Sequence, residues 1–415
     1  MLVGISFHNC SFMRFRHGVT ILCVVVGCGV AAGQAKLSLP EALTKAEHQN
    51  LDLAAARERR AFALAGIQVA KERPNPTLGF SVARDAPHEG ASLDQPLELG
   101  PKRGRRIEVA KGESALTELE IAAVARQVRH AVRDAYRQAE FTRAVSAQKA
   151  ELLTLARRLH QIAQARFDAG DVPQLEVVQA DLEVARADAE LQLARQEEEV
   201  AGSRLNALLN EPKDARWELA DTLETLPAAP SLDELNARAS QSNPELQHVR
   251  QEAAIEQARA NLLRAERIPD FSAGIGADFN NPGSYTAGLR GQFSMSIPIF
   301  SRNQGEIAQS VATQHQISRQ LLAQQRTIES EVQAAALEFG ARSSQVKIFH
   351  DSLAPSARRL LGMAEESYKA GQSSILTVID AQRNASQVQS EFLDSLLAAH
   401  AAFASLEEAV GAPLD

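Results

Sequence analysis

Phe167-Asp168-Ala169-Gly170 and Tyr368-Lys369-Ala370-Gly371, 201 residues apart, decide how this chain is built. At the same offset Leu175 meets Leu376, Val178 meets Ile379, Ala180 meets Ala381 and Leu205 meets Leu406. Nearer the N-terminus the offset is 193, aligning Ser38-Leu39-Pro40-Glu41 with Ser231-Leu232-Asp233-Glu234 and Pro76 with Pro269. Asn50-Leu51-Asp52-Leu53 and Asn243-Pro244-Glu245-Leu246 fall into the same alignment. The step from 193 to 201 places a net insertion of eight residues in the middle of the second copy. Self-similarity of this kind marks a repeated architecture. The chain reads as a tandem duplication, with a first repeat over residues 36–225 and a second over 226–415.

Each copy shows one order: helix, two strands, very long helix, turn, return helix. The opening helices are expected over residues 40–72 and 232–267, where Pro74, Pro76 and Pro269 stop them. The helices expected over 105–169 and 305–370 contain no proline except Pro355. Each would span on the order of 90–100 Å, too long for a globular domain. Such a helix needs partners along its length, and heptad spacing shows where they dock. Leu152, Leu155, Leu159 and Ile162 step by 3 and 4, as do Leu175, Val178, Leu182, Ala185 and Ala189. Phe392, Leu396, Ala399, Phe403, Leu406 and Val410 repeat the pattern. Gly170 and Gly371 read as C-caps that end the descending helices. Pro173 then fits the first turn of one return helix, and Ser373 or Ser374 the cap of the other.

Between the helices lie short segments of period two. In the second copy Phe271, Ala273, Ile275, Ala277 and Phe279 share a face. After the turn signal Asn280-Asn281-Pro282-Gly283, so do Leu289, Phe293, Met295, Ile297 and Ile299, with Arg290, Gln292, Ser294 and Ser296 opposite. One apolar and one polar face is the pattern of a membrane barrel wall around a wet lumen. Strands are expected over about 77–84, 91–99, 271–280 and 286–300, the first two with a weaker alternation. Four strands cannot close a barrel, so several chains must share one. Three chains would supply twelve strands. The expected fold class is mainly α with a small β part: duplicated coiled-coil hairpins forming an α-barrel, and four strands per chain in a trimeric 12-stranded transmembrane β-barrel.

The N-terminus reads as an export signal over residues 1–35. Arg14, Arg16 and His17 precede an apolar run from Val19 to Ala32 and the small-residue ending Gly33-Gln34-Ala35. Val25-Val26-Gly27-Cys28 offers a second reading, a lipoprotein signal that leaves an acylated Cys28. Met13 is an alternative start. All three cysteines (10, 23 and 28) lie in this leader, which excludes disulfides and thiolate metal sites from the mature chain. Removing the leader leaves 42 basic against 52 acidic side chains, a net charge of −10. A nucleic-acid partner would call for a basic excess instead, so none is expected. The histidines 48, 88, 130, 160, 248, 315, 350 and 400 are dispersed, and none has zinc-site spacing. No phosphate loop, nucleophile elbow or carboxylate pair is present, and Gly274-Ile275-Gly276 lies in a strand. No catalytic residue, cofactor or resident metal is expected. An exported protein of this shape moves solutes out of the periplasm; the reading from another class is a periplasmic helical scaffold without a barrel.

The duplicated plan, the strand-to-helix junctions and the Gly-centred tips resemble the outer membrane factor (TolC-type efflux protein) family over nearly all of the mature chain. Gln95-Pro96-Leu97-Glu98-Leu99-Gly100-Pro101-Lys102-Arg103-Gly104 and Ile297-Pro298-Ile299-Phe300-Ser301-Arg302-Asn303-Gln304-Gly305 are most similar to its heavy-metal (cobalt-zinc-cadmium) branch. The resemblance implies a homotrimer set in outer membrane lipid, docked onto a periplasmic adaptor (membrane fusion protein) and an inner-membrane resistance-nodulation-division pump. Its cargo would be divalent metal cations, with drugs, dyes or exported proteins as the alternative. By the same resemblance the periplasmic mouth maps onto residues 364–380. Tyr368 matches a gate tyrosine and Asp380 an acidic ring position. Ser373 stands where better-known members carry a linking arginine, and Thr377 where they carry a second acid. Gln179 is the first-copy counterpart of Asp380 and adds no charge. The tips, Gly170, Asp171 and Val172 with Gly371, Gln372 and Ser373, are the expected adaptor contacts.

Overall fold

The computed structural model describes residues 35–85, 87–281 and 285–414. The expected leader with Cys28, and the Pro282-Gly283 part of the strand turn, lie outside these residues.

Strand β1 (Ala35–Leu37) leads into α1 (Leu39–Gln49) and α2 (Leu51–Lys71). The opening helix is thus two helices, and the physical reason is Asn50. Its Oδ1 accepts from the Leu53 amide at 3.1 Å, capping α2, while its Nδ2 donates to the Leu208 carbonyl at 3.0 Å. The second copy repeats the device. Asn243 separates α5 (Leu232–Ser242) from α6 (Pro244–Ala265), accepts from the Leu246 amide and donates to the Ala409 carbonyl at 2.9 Å. In both copies one buried asparagine breaks the opening helix and ties it to the end of that copy's return helix.

The hairpin β2 (Thr77–Val82) and β3 (Glu89–Leu97) precedes α3 (Lys102–Asp168), an unbroken helix of 67 residues. That is about 100 Å of helix. Helix α4 (Gln174–Leu208) returns along it, and β4 (Trp217–Leu219) pairs in parallel with β1. The second copy runs β5 (Phe271–Asn281), β6 (Tyr285–Met295), α7 (Gln304–Ile348), a π-helical turn (Phe349–Leu353), α8 (Ala354–Lys369) and α9 (Ile375–Val410). The expected continuous helix over 305–370 is interrupted because Pro355 has no N–H to donate one turn back, so the helix widens there. From β2 to β5 the starting residues differ by 194, and from α3 to α7 by 202. The inserted residues therefore lie in the longer second hairpin and its junction. Strand β6 ends at Met295, not near 300, since Pro298 cannot serve a ladder.

The α9 seam lies in the core as expected: Phe392, Leu396, Ala399, Phe403, Leu406 and Val410 are all buried. The α4 seam is a correction. Val177, Ala180, Ala187, Leu191 and Ala194 are among its buried residues, whereas Leu175, Val178 and Leu182 stand exposed. Helix α4 carries two apolar stripes. The alanine-rich one packs inside because small side chains let helices approach closely, and the leucine-rich one is left on the surface.

Beside the β1–β4 pair, the fully buried Tyr136 hydroxyl lies 2.8 Å from the Leu37 carbonyl and 2.9 Å from Asp221 Oδ2. Nearby, Arg133 of α3 pairs with Glu407 of α9. His400 Nε2 meets the Leu223 carbonyl at 2.9 Å. Burial, reinforced by the Arg137 charge, lowers the His400 imidazole to about 4, so at neutral pH it is uncharged and donates that bond. Together these contacts form a collar midway along the helices.

Candidate functional site

The four longer strands form one antiparallel sheet in the order β2-β3-β5-β6, so the two copies meet at β3 and β5. Register sorts its side chains by face. Leu78, Phe80, Leu93, Ile275, Leu289 and Phe293 lie on one face, all exposed, with Leu289 at 96%. Glycine, serine and the charged or amide residues Asp94, Asp278, Arg290 and Gln292 occupy the other. Leaving that much apolar surface in water is costly, at about 25 cal/mol per Å². The outer edges of β2 and β6 also lack a ladder partner among the described residues. An exposed apolar face backed by a polar one, with open outer edges, has the pattern of a membrane barrel wall. No helix among the described residues is long and apolar enough to cross a membrane.

At the base of the sheet, Lys102 is buried against Asp270 Oδ2 at 2.7 Å, and Asp270 Oδ1 accepts from the Leu99 amide at 3.0 Å. Arg106 grips Glu98 in the same junction. These contacts set the angle at which strand becomes helix, holding β3, β5 and the start of α3 together.

At the far end the two tips close alike. Gly170 and Gly371 adopt φ of +83° and +73°, the left-handed region that suits glycine. The Asp171 amide donates to the Arg166 carbonyl and the Gln372 amide to the Ser367 carbonyl, both at 2.9 Å, closing paired Schellman motifs. Three expectations change here. Pro173 is the residue before α4 and not within it. Among the described residues, Ser374 precedes α9 without a side-chain cap bond, and the buried Ser373 Oγ has no hydrogen-bond partner. Val172 is buried, so it anchors the loop from beneath; Asp171 and Gln372 are the exposed tip side chains.

Tyr368 is fully buried between the hairpins. Its hydroxyl donates to Glu176 Oε2 at 3.1 Å, and burial together with that carboxylate pushes the phenol up to about 12. The Arg166 guanidinium covers its ring at 4.9 Å and donates to its carbonyl at 3.2 Å. Further up, Arg383 meets Glu183 at 2.5 Å. These contacts fasten the first hairpin to the second within one chain. Thr377 and Asp380 lie on α9 with exposed side chains, and no cation partners Asp380 among the described residues. Sequence reasoning missed Arg166, Glu176, Glu183 and Arg383. All are charged residues within a few turns of the two glycines, and that placement was the available signal. No group of three or more metal-binding side chains occurs among the described residues.

The family model described as outer membrane efflux protein matches residues 42–211 and 235–412, one match in each copy. The chain belongs to that family. It is an outer-membrane efflux channel, its sheet in the membrane and its helices in the periplasm. Cobalt-zinc-cadmium resistance protein CzcC of Cupriavidus metallidurans is 26% identical over 389 residues, covering 90% of both chains. Nickel-cobalt-cadmium resistance protein NccC of Alcaligenes xylosoxydans xylosoxydans is 29% identical over 225 residues, 53% of this chain and 49% of its own. Among solved structures, CusC shares the fold with a TM-score of 0.73 at 19% identity, over 92% of this channel and 93% of CusC.

Proposed function

We propose that three copies of this channel form a passive duct that carries divalent heavy-metal cations from the periplasm to the exterior. A periplasmic adaptor of the membrane fusion protein class would join its tips to an inner-membrane resistance-nodulation-division pump that supplies the energy. The observation that carries the reading is the sheet: four strands, two open edges and one exposed apolar face, continuous with about 100 Å of helix. Three such sheets make a barrel of twelve strands, and the metal-resistance names of two relatives support the choice of cargo. A metal channel benefits from weak sites, because a tightly held ion leaves slowly. Dispersed histidines fit that requirement.

Growth of a deletion strain on zinc, cobalt, cadmium, copper and silver, beside dyes and antibiotics, tests the cargo. Hypersensitivity confined to metals is expected; sensitivity confined to dyes and antibiotics would overturn it.

The mouth is proposed to lie at the second tip. Thr377 and Asp380 would face the pore, and Asp171 and Gln372 with Gly170 and Gly371 would meet the adaptor. Moving the hairpins apart must break the Tyr368–Glu176 bond. Tyr368→Phe keeps the ring and removes that bond, and is expected to raise the conductance of the reconstituted channel. Conductance equal to the wild type would remove Tyr368 from any role in the mouth.

A further inference from the structure

We propose that Asp94 is a cation-selecting residue in the barrel lumen, a point of charge discrimination at the opposite end of the molecule from the helical tips. The proposal rests on the reading of the sheet as one third of a membrane barrel.

Strand register sets Thr77, Asp94, Gly274 and Gln292 side by side on the polar face. Gly274 is what gives the Asp94 carboxylate its place. A Cβ added there would collide with Asp94 Oδ1, so the carboxylate lies across β5 in space that any other residue would fill. Gln292 Nε2 donates to Oδ1 from the far side, and Ser92 Oγ donates to Oδ2 at 3.2 Å. Both partners are neutral. They fix the carboxylate against the wall and leave its charge in place. Asp94 has no ion-pair partner among the described residues, whereas Asp278 on the same face is met by Arg290 at 3.4 Å. The described residues of that face therefore carry one uncompensated charge per chain, on Asp94.

Distance decides whether that charge reaches a passing ion. Twelve strands about 4.8 Å apart, tilted by about 40°, close at a backbone radius of about 12 Å. The Debye length is about 10 Å in 0.1 M salt, about 30 Å in 0.01 M and about 3 Å in 1 M. Three Asp94 carboxylates thus bias the whole lumen toward cations in dilute salt and almost none of it in 1 M. A lone carboxylate with neutral neighbours does not hold an ion, so it enriches cations without slowing their exit.

The test is the reversal potential of the full-length channel in planar bilayers under a potassium chloride gradient, at low and at high salt. Asp94→Asn is expected to shift it toward zero in dilute salt and to leave it unchanged near 1 M. Arg290→Gln is expected to shift it the other way. Asp94→Cys adds a single cysteine to a sequence that has none after Cys28. Labelling it with a sulfonate reagent should restore the cation preference, and a trimethylammonium reagent should reverse it. A conducting channel whose reversal potential ignores all of these changes would overturn the proposal and leave the barrel standing. A wild-type protein that forms no pore would sink the barrel reading and this proposal together.

Discussion

Leu289→Arg keeps the protein out of the membrane, and Ser294→Arg does not. Both positions are on β6 and exposed in the single chain, so burial within the chain does not distinguish them. Face does. Leu289 pairs with Ala277 on the apolar side, and Ser294 with Ser272 on the polar side. An arginine facing lipid near mid-depth costs about 2–4 kcal/mol, and three copies raise that to about 6–12 kcal/mol. This is comparable to the whole stability of a typical domain, about 5–15 kcal/mol. The same side chain in a wet lumen costs little. The check is the fraction of each variant that resists urea extraction from outer membranes. Equal extraction of the two variants would mean that lipid does not cover the apolar face.

Glu407→Gln is the second large effect, and it acts far from the membrane. Glu407 of α9 and Arg133 of α3 are each about nine-tenths buried, and the pair joins the second copy to the first. Glu407 Oε1 also accepts from the Leu414 amide at 3.0 Å, fastening the end of the chain. Breaking a buried ion pair by removing one of its charges costs up to about 3–5 kcal/mol. Glutamine keeps the acceptor for Leu414, so about 3 kcal/mol is expected. Glu118→Gln is the comparison. Its partner Arg60 is 2.6 Å away, but both side chains are about half exposed and water screens the pair, so losing it should change stability little. Thermal unfolding of the detergent-solubilised protein should separate the two variants clearly. A Glu407→Gln midpoint no lower than that of Glu118→Gln would show that the copies are held together without this pair.

Much of the site was legible because it depends on local rules. Alternation in residues 271–279 and 289–295 marks a strand with two unlike faces, and the structure keeps every one of those assignments. Gly170 and Gly371 were legible because the left-handed turn after a helix favours glycine wherever that helix lies. The corrections share a different cause. Asn50 and Asn243 were visible as a repeated pair, but their capping role depends on carbonyls 158 and 166 residues away. Tyr368 was placed near the mouth, yet its partner Glu176 is 192 residues distant in the chain.

The duplication, the great length of α3 and the two faces of the strands are legible in the sequence without any tertiary contact. All of these follow from spacing, and spacing is a property of the chain. Packing in three dimensions settles which of the two apolar stripes on α4 is buried, which hairpin residues clasp one another, and that β3 pairs with β5. The physical reason is that both α4 stripes satisfy the helical period equally well. Close approach to α3 chooses between them, favouring Ala180 and Ala187 inside and leaving Leu175 and Leu182 outside. Likewise Asp94 is an ordinary acid in the sequence, and becomes a lumen charge only because Gly274, 180 residues later, leaves room for it.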